Sequence, residues 1–130
     1  MTPGMGYTIR NLRDVEDMAA KSGLGETTEA RFPREELGLK RTGFSHQRLR
    51  ANKRQTFGHR HKEAEEVYVV LNGSGRAKLD DEFVDLGPLD ALHVQPGTAR
   101  GFEAGPDGLE FLAFGPRVSG DAEMIKDFWD

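Results

Sequence analysis

From Thr42 onward, short runs of apolar and β-branched residues are cut at close intervals by turn-forming residues. Phe44 to Arg50 and Phe57 to His61 are the first two predicted strands. Glu66 to Leu71 (EVYVVL) is the strongest, because β-branched and aromatic side chains pack well on a pleated surface. Asn72-Gly73 reads as a hairpin turn after it, since both residues tolerate positive φ. Gly75 to Leu79, Glu82 to Leu86, Ala91 to Gln95, Arg100 to Ala104 and Leu109 to Phe114 follow as strands. Asp80-Asp81, Gly87-Pro88, Pro96-Gly97 and Gly105 to Gly108 separate them as turns. Short strands at this spacing predict an all-β sandwich or barrel.

The flanks read differently. Tyr7 to Leu12 is a candidate strand. Asp14 reads as a helix N-cap, with Glu16 and Asp17 in the first turn, Met18 to Lys21 following and Gly23 as the stop. Ser22 to Leu39 is charged, contains Pro33 and has no clean period, so it reads as an extended arm with one helical turn near Glu35. Such arms cover sheet edges. Residues 1–41 therefore form an N-terminal arm carrying a short strand and one short helix, 42–115 the barrel, and 116–130 a tail. The tail ends in Phe128-Trp129, an apolar pair expected to pack on the barrel or on a dimer partner.

Composition narrows the class. A chain of 130 residues fits one domain, and 31% charged with 36% hydrophobic residues is a water-soluble globular balance. The net charge of −4 argues against nucleic acid, which demands clustered cations. The basic stretch Arg48 to Arg54 has no interleaved aromatics and reads as a solvated loop. The absence of cysteine excludes disulfides, thiolate metal sites and cysteine nucleophiles. No apolar run is long enough to span a bilayer, and no signal-peptide pattern is visible, so the expected location is the cytoplasm.

The chemistry is concentrated in Gly58 to Gly75, GHRHKEAEEVYVVLNGSG. His59 and His61 are two apart, which on a strand puts both imidazoles on one face and Arg60 on the other. Glu66 opens the next strand, and if the two strands pair, a carboxylate is delivered beside the imidazoles. Two histidines and one carboxylate with open positions suit Fe, and also Ni, Mn, Co or Zn. The plainer alternative is a histidine pair hydrogen-bonded to Glu66 with no metal.

The string His-x-His, four residues, Glu, six residues, Gly resembles the first motif of the cupin superfamily, which are small barrels of antiparallel strands. The resemblance covers Thr42 to Gly115. It implies a cupin-like jelly roll in which His59, His61 and Glu66 bind a metal, and a homodimer. In the family a second motif adds a fourth ligand, another histidine. Here that position falls on Arg100, the motif's glycine on Leu89, its proline on Gln95 with Pro96 one step later, and its asparagine on Ala104; Gly97 is kept. The leading glycine of the first motif falls on Lys53.

A guanidinium has no acceptor lone pair and stays protonated, so Arg100 cannot replace a histidine ligand. Three arrangements are open: it turns away from the site, it pairs with Glu66 and leaves the site metal-free, or it points into the cavity and clamps a carboxylate through its bidentate fork. His93 and His46 are the remaining histidines, and either could face inward; Gln95 is a weaker fourth donor. Tyr68 and Phe102 read as barrel-wall residues, and Glu63 and Glu65 as solvated loop charges. Arg100, His93 and Tyr68 are the candidate substrate contacts; no catalytic residue is assigned. The leading functional expectation is a metal-dependent oxygenase, isomerase or decarboxylase acting on a small anionic organic molecule. The alternative is a non-catalytic, metal-free binding protein. Neither involves nucleic acid or a membrane.

Overall fold

The computed structural model describes residues 6–130, and they form one curled antiparallel sheet of eight strands. In chain order these are β1 (Thr28–Arg31), β2 (Thr42–Leu49), β3 (Gly58–His61), β4 (Glu66–Leu79), β5 (Glu82–Leu86), β6 (Ala91–Val94), β7 (Arg100–Pro116) and β8 (Ala122–Ile125). The helices are α1 (Met18–Lys21) and α2 (Arg34–Leu37). Among the described residues, no helix is long and apolar enough to cross a membrane.

Two long strands, β4 and β7, make the frame. The first half of β4 pairs with β6 and with the second half of β7; its second half pairs with β5 and with the start of β7. β2 adds to the far side of β7, and β1 to β2. β3 meets β7 at His59 opposite Arg100 and carries β8 on its other side. Each half of β7 thus faces a different set of neighbours, which is how one sheet curls around a core.

The curl depends on glycine. Asn72-Gly73 is not the hairpin turn expected from its sequence; β4 runs straight through it. The register with β7 shifts on both sides of Gly73, and opposite these shifts the Gly105–Gly108 segment bows out while β7 continues. Gly73 sits at φ 79° and Gly108 at φ 80°. A Cβ on Gly73 would run into the Gly108 carbonyl, and one on Gly75 into the Glu103 carbonyl. Glycine therefore serves here as a bulge and a close approach between strands.

Inside the curl, Tyr68, Val70, Phe102, Leu109 and Phe111 are buried together. Tyr68 and Phe102 lie 4.7 Å apart between ring centroids, and Phe102 and Phe111 4.9 Å. Such pairs contribute about 0.5–1.5 kcal/mol each beyond the area they bury.

The flanks depart from expectation in several places. Tyr7 to Leu12 forms no strand; a 3-10 turn at Leu12–Asp14 follows it, capped by Asn11. The N-cap of α1 is Asp17 rather than Asp14, because Asp17 Oδ1 accepts from the backbone N–H of Ala19, Ala20 and, across to β1, Ala30. β1 arises inside the segment read as irregular, where its ladder with β2 supplies the pairing that local sequence does not announce. The turn near Glu35 is α2, closed by Gly38 in the left-handed conformation. The tail contributes β8 and then folds Phe128 against Gly58 and Gly101, where any Cβ would overlap its ring. Trp129 Nε1 donates to the Gln55 carbonyl at 2.7 Å, so the terminal pair packs on its own barrel.

Candidate metal centre

β3 carries both imidazoles to one face, as strand alternation requires; their ring centroids are 5.2 Å apart and nearly perpendicular. Arg60, between them, points the other way and pairs with Glu123 of β8 at 2.9 Å. The β3–β4 loop then returns Glu66 beside them. Nε2 of His59 and Nε2 of His61 each lie 3.4 Å from Glu66 Oε1. Tyr68, two residues along the same face of β4, donates its hydroxyl to that oxygen at 2.5 Å.

Three donors, one from each of these residues, lie within 4.8 Å of one another. The separation tests the fit of a metal. Two ligands each bound at ~2.1 Å in a tetrahedral shell are about 3.4 Å apart, while a good N–H···O bond is shorter, about 2.9 Å. The two 3.4 Å distances match ligand spacing better than hydrogen bonding. The donor set, two imidazoles and a carboxylate, is one that Zn, Fe, Mn, Co or Ni accepts.

Glu66 is held ready as an anion. Burial works to raise its pKa, but hydrogen bonds from His59 and Tyr68 and the nearby His59 and His61 outweigh it and leave the value below the ordinary one. For Tyr68 burial dominates, and the Glu66 charge adds to it, so the phenol titrates well above its usual range and remains a donor.

One residue of this centre has no counterpart in the sequence reading. Asp121, 5% exposed at the start of β8, accepts from His61 Nδ1 at 3.2 Å and from the backbone N–H of Glu63 and Ala64 at 2.8 and 3.0 Å. It clasps the β3–β4 loop and turns His61 so that Nε2 faces Glu66. Burial works to raise its pKa, but the two backbone N–H groups and His61 bring it below the ordinary value. It lies 60 residues from His61, and nothing in its local sequence marks it.

Arg100 follows none of its three expected arrangements cleanly. It is fully buried, with Nε 3.9 Å from Glu66 Oε1. That is ion-pair range, yet none of its three guanidinium nitrogens has a hydrogen-bond partner among the described residues. It does not line the cavity above the centre, so it offers no open fork to a carboxylate there.

His93 and His46 are both outside. On β6 it is Val94 that turns inward, leaving His93 on the outer face, 2.7 Å from Glu65. On β2, Ser45 and Leu49 are buried, so His46 lies on the outer side, 2.6 Å from Glu110. Neither histidine lines the cavity above the centre, and neither belongs to the donor group there. Gln95 is exposed. Tyr68 does line the cavity, together with His59, His61 and Glu66.

That cavity has a volume of about 440 Å³. Ser45 and Gln47 of β2, Gln55, and residues of α1 and β1 line it. Among the described residues, no lysine or arginine lines it.

No protein-family model and no curated protein matches the chain. Solved structures do. A cupin protein from Bacteroides fragilis is 23% identical, with 89% of this chain and 88% of that one covered at a TM-score of 0.71. The polyketide cyclase RemF from Streptomyces resistomycificus is 21% identical, with coverage of 95% and 87% and a TM-score of 0.74. An oxalate decarboxylase variant from Bacillus subtilis is 23% identical over 89% of this chain and 33% of its own, with a TM-score of 0.69. The fold is thus that of the cupins, an all-β jelly roll.

Proposed function

We propose that this cupin-fold protein holds a divalent transition metal on His59, His61 and Glu66 and acts there on a small organic molecule admitted through the adjoining cavity. The observation that carries the reading is the convergence of three donors within 4.8 Å of one another on the wall of an accessible cavity. Enzymes stand among the proteins of similar fold, a polyketide cyclase and an oxalate decarboxylase. A bound ion would supply Lewis acidity or an oxygen-activating centre. The chain's own part is to keep Glu66 ionised, to orient His61 through Asp121, and to hold a phenolic donor, Tyr68, beside the carboxylate.

The test is titration of chelator-stripped protein with Co²⁺ and Zn²⁺, followed by calorimetry and by the visible Co²⁺ spectrum. One ion per chain is expected, with loss of binding in His59→Ala and Glu66→Gln. Absence of near-stoichiometric binding by any of Fe, Ni, Mn, Co or Zn would sink the reading. One observation favours the second reading, a metal-free binding protein: Arg100 already stands 3.9 Å from the carboxylate a metal would use. Homodimerisation belongs to the proposal as well. The outer face carries the stacked pair Phe44 and Phe114, 5.8 Å apart, with Phe114 38% exposed. Sedimentation equilibrium decides it.

A further inference from the structure

The cavity over the metal centre has a chemical character of its own. Its rim gathers exposed apolar side chains from three separate elements: Met18 of α1 at 38% exposure, Phe32 just after β1 at 50%, and Met124 of β8 at 60%. Exposed apolar residues scattered singly need no explanation, but three around one opening do. Deeper in, Leu24 and Phe57 continue the apolar wall.

Three of the polar side chains that line the cavity, Gln55, Gln47 and Ser45, are neutral and arranged in series. The backbone N–H of Phe102 donates to Gln55 Oε1 at 3.1 Å, which fixes that amide. Gln55 Nε2 donates to Gln47 Oε1 at 3.3 Å, and Gln47 Nε2 to Ser45 Oγ at 3.0 Å. The series ends at the Ser45 hydroxyl, whose own hydrogen has no acceptor among the described residues. A ligand oxygen is the natural acceptor for it.

Apart from the metal proposed at the centre, no lysine or arginine among the described residues lines the cavity, so in the metal-free protein nothing there pairs with an anionic ligand. The nearest, Arg100, is fully buried and outside the lining. Burying an unpaired carboxylate against such walls costs far more than burying a neutral oxygen that finds a hydrogen bond.

We propose that the cavity selects an uncharged, largely apolar organic molecule carrying at least one carbonyl or hydroxyl oxygen, its apolar body against the Met18–Phe32–Met124 rim and its oxygen within reach of Ser45. This rests on the cavity being the working site and refines its substrate class. A volume of about 440 Å³ lies within the range of small-molecule pockets.

The test uses chelator-treated protein, so that it depends on the walls alone and its failure is separable from failure of metal binding. The fluorescence of N-phenyl-1-naphthylamine, a neutral apolar probe, reports occupancy, and 2-naphthol and 2-naphthoate compete for it. One probe per chain is expected, with 2-naphthol displacing it at a concentration at least tenfold lower than 2-naphthoate. Phe32→Glu and Met124→Glu change exposed side chains, so they leave the fold intact by circular dichroism, and each is expected to weaken the probe at least tenfold. Ser45→Ala is expected to weaken 2-naphthol while leaving the probe, which has no oxygen, unchanged. The proposal is overturned if the probe does not bind, if 2-naphthoate competes as well as 2-naphthol, or if the two rim variants bind the probe like the parent. It is equally overturned if sedimentation shows a dimer that Phe32→Glu or Met124→Glu dissociates and the parent dimer excludes the probe.

Discussion

Replacing Arg100 by methionine tests the electrostatics of the centre most directly. Methionine keeps the packing of the apolar stem and removes the guanidinium, with its charge and its three donor nitrogens. In the parent, Arg100 Nε lies 3.9 Å from Glu66 Oε1, which at an effective dielectric of ~20 is worth about 4 kcal/mol of attraction. Against this stand three buried nitrogens without hydrogen-bond partners, each costing about 1–3 kcal/mol in lost hydration. Together they cost about 3–9 kcal/mol, and the middle of that range exceeds the attraction by about 2 kcal/mol. The variant is therefore expected within about 2 kcal/mol of the parent in urea unfolding of the metal-free protein, on the stable side where the desolvation cost is the larger. Metal binding should move much further. A divalent ion ~5–6 Å from a guanidinium is repelled by about 6 kcal/mol at the same dielectric. Glu66 and solvent screen part of this. At least a hundredfold tighter Zn²⁺ or Co²⁺ binding is expected, which corresponds to about 2.7 kcal/mol, read by competition with a chromophoric chelator. Unchanged or weaker metal affinity in Arg100→Met would refute the view that the guanidinium and the metal compete for Glu66. A stability loss beyond about 3 kcal/mol would show that Arg100 is held by partners other than Glu66.

Two further outcomes follow from the same geometry. Asp121→Asn is expected to weaken metal binding by about 10–100-fold, the usual effect of removing a carboxylate that orients a ligating histidine; ¹⁵N NMR should show His61 losing its fixed Nδ1–H tautomer. Asp17→Ala is expected to cost about 1 kcal/mol near neutral pH through loss of the α1 cap and of the bond to Ala30. Burial works to raise the Asp17 pKa, but the backbone N–H groups of Ala30, Ala20 and Ala19 and the charge of Arg31 leave it below its ordinary value of 3.8. A depressed folded-state pKa stabilises above the unfolded value and ceases to do so as pH falls through the folded one. The gap between parent and Asp17→Ala should therefore close on acidification below 3.8, and a gap that stays constant or widens there would contradict the assignment.

What could be read in advance follows the range of the interaction that decides each feature. His59 and His61 face the same way because a strand alternates, which is local; Glu66 joins them through a four-residue loop although β3 and β4 do not pair, because each of them pairs with β7 instead. The same alternation rule holds for His93 and His46, yet it could not be applied without knowing which of their neighbours are buried, and only Val94, Ser45 and Leu49 settle that. Asn72-Gly73 shows a different limit. Positive φ at Gly73 is what both a hairpin turn and a bulge demand, so local chemistry cannot separate them. The choice falls to β7, whose residues 109–114 are available to pair with the first half of β4 while Arg100 to Ala104 pair with the second. A turn at Gly73 would leave one of those ladders unmade. Asp121 lies at the far end of this scale. Its role exists only because β8 docks on β3, which depends in turn on Phe128 fitting the bare backbone at Gly58 and Gly101. The tail that looked like a loose end is thereby what sets the ring orientation of a candidate ligand.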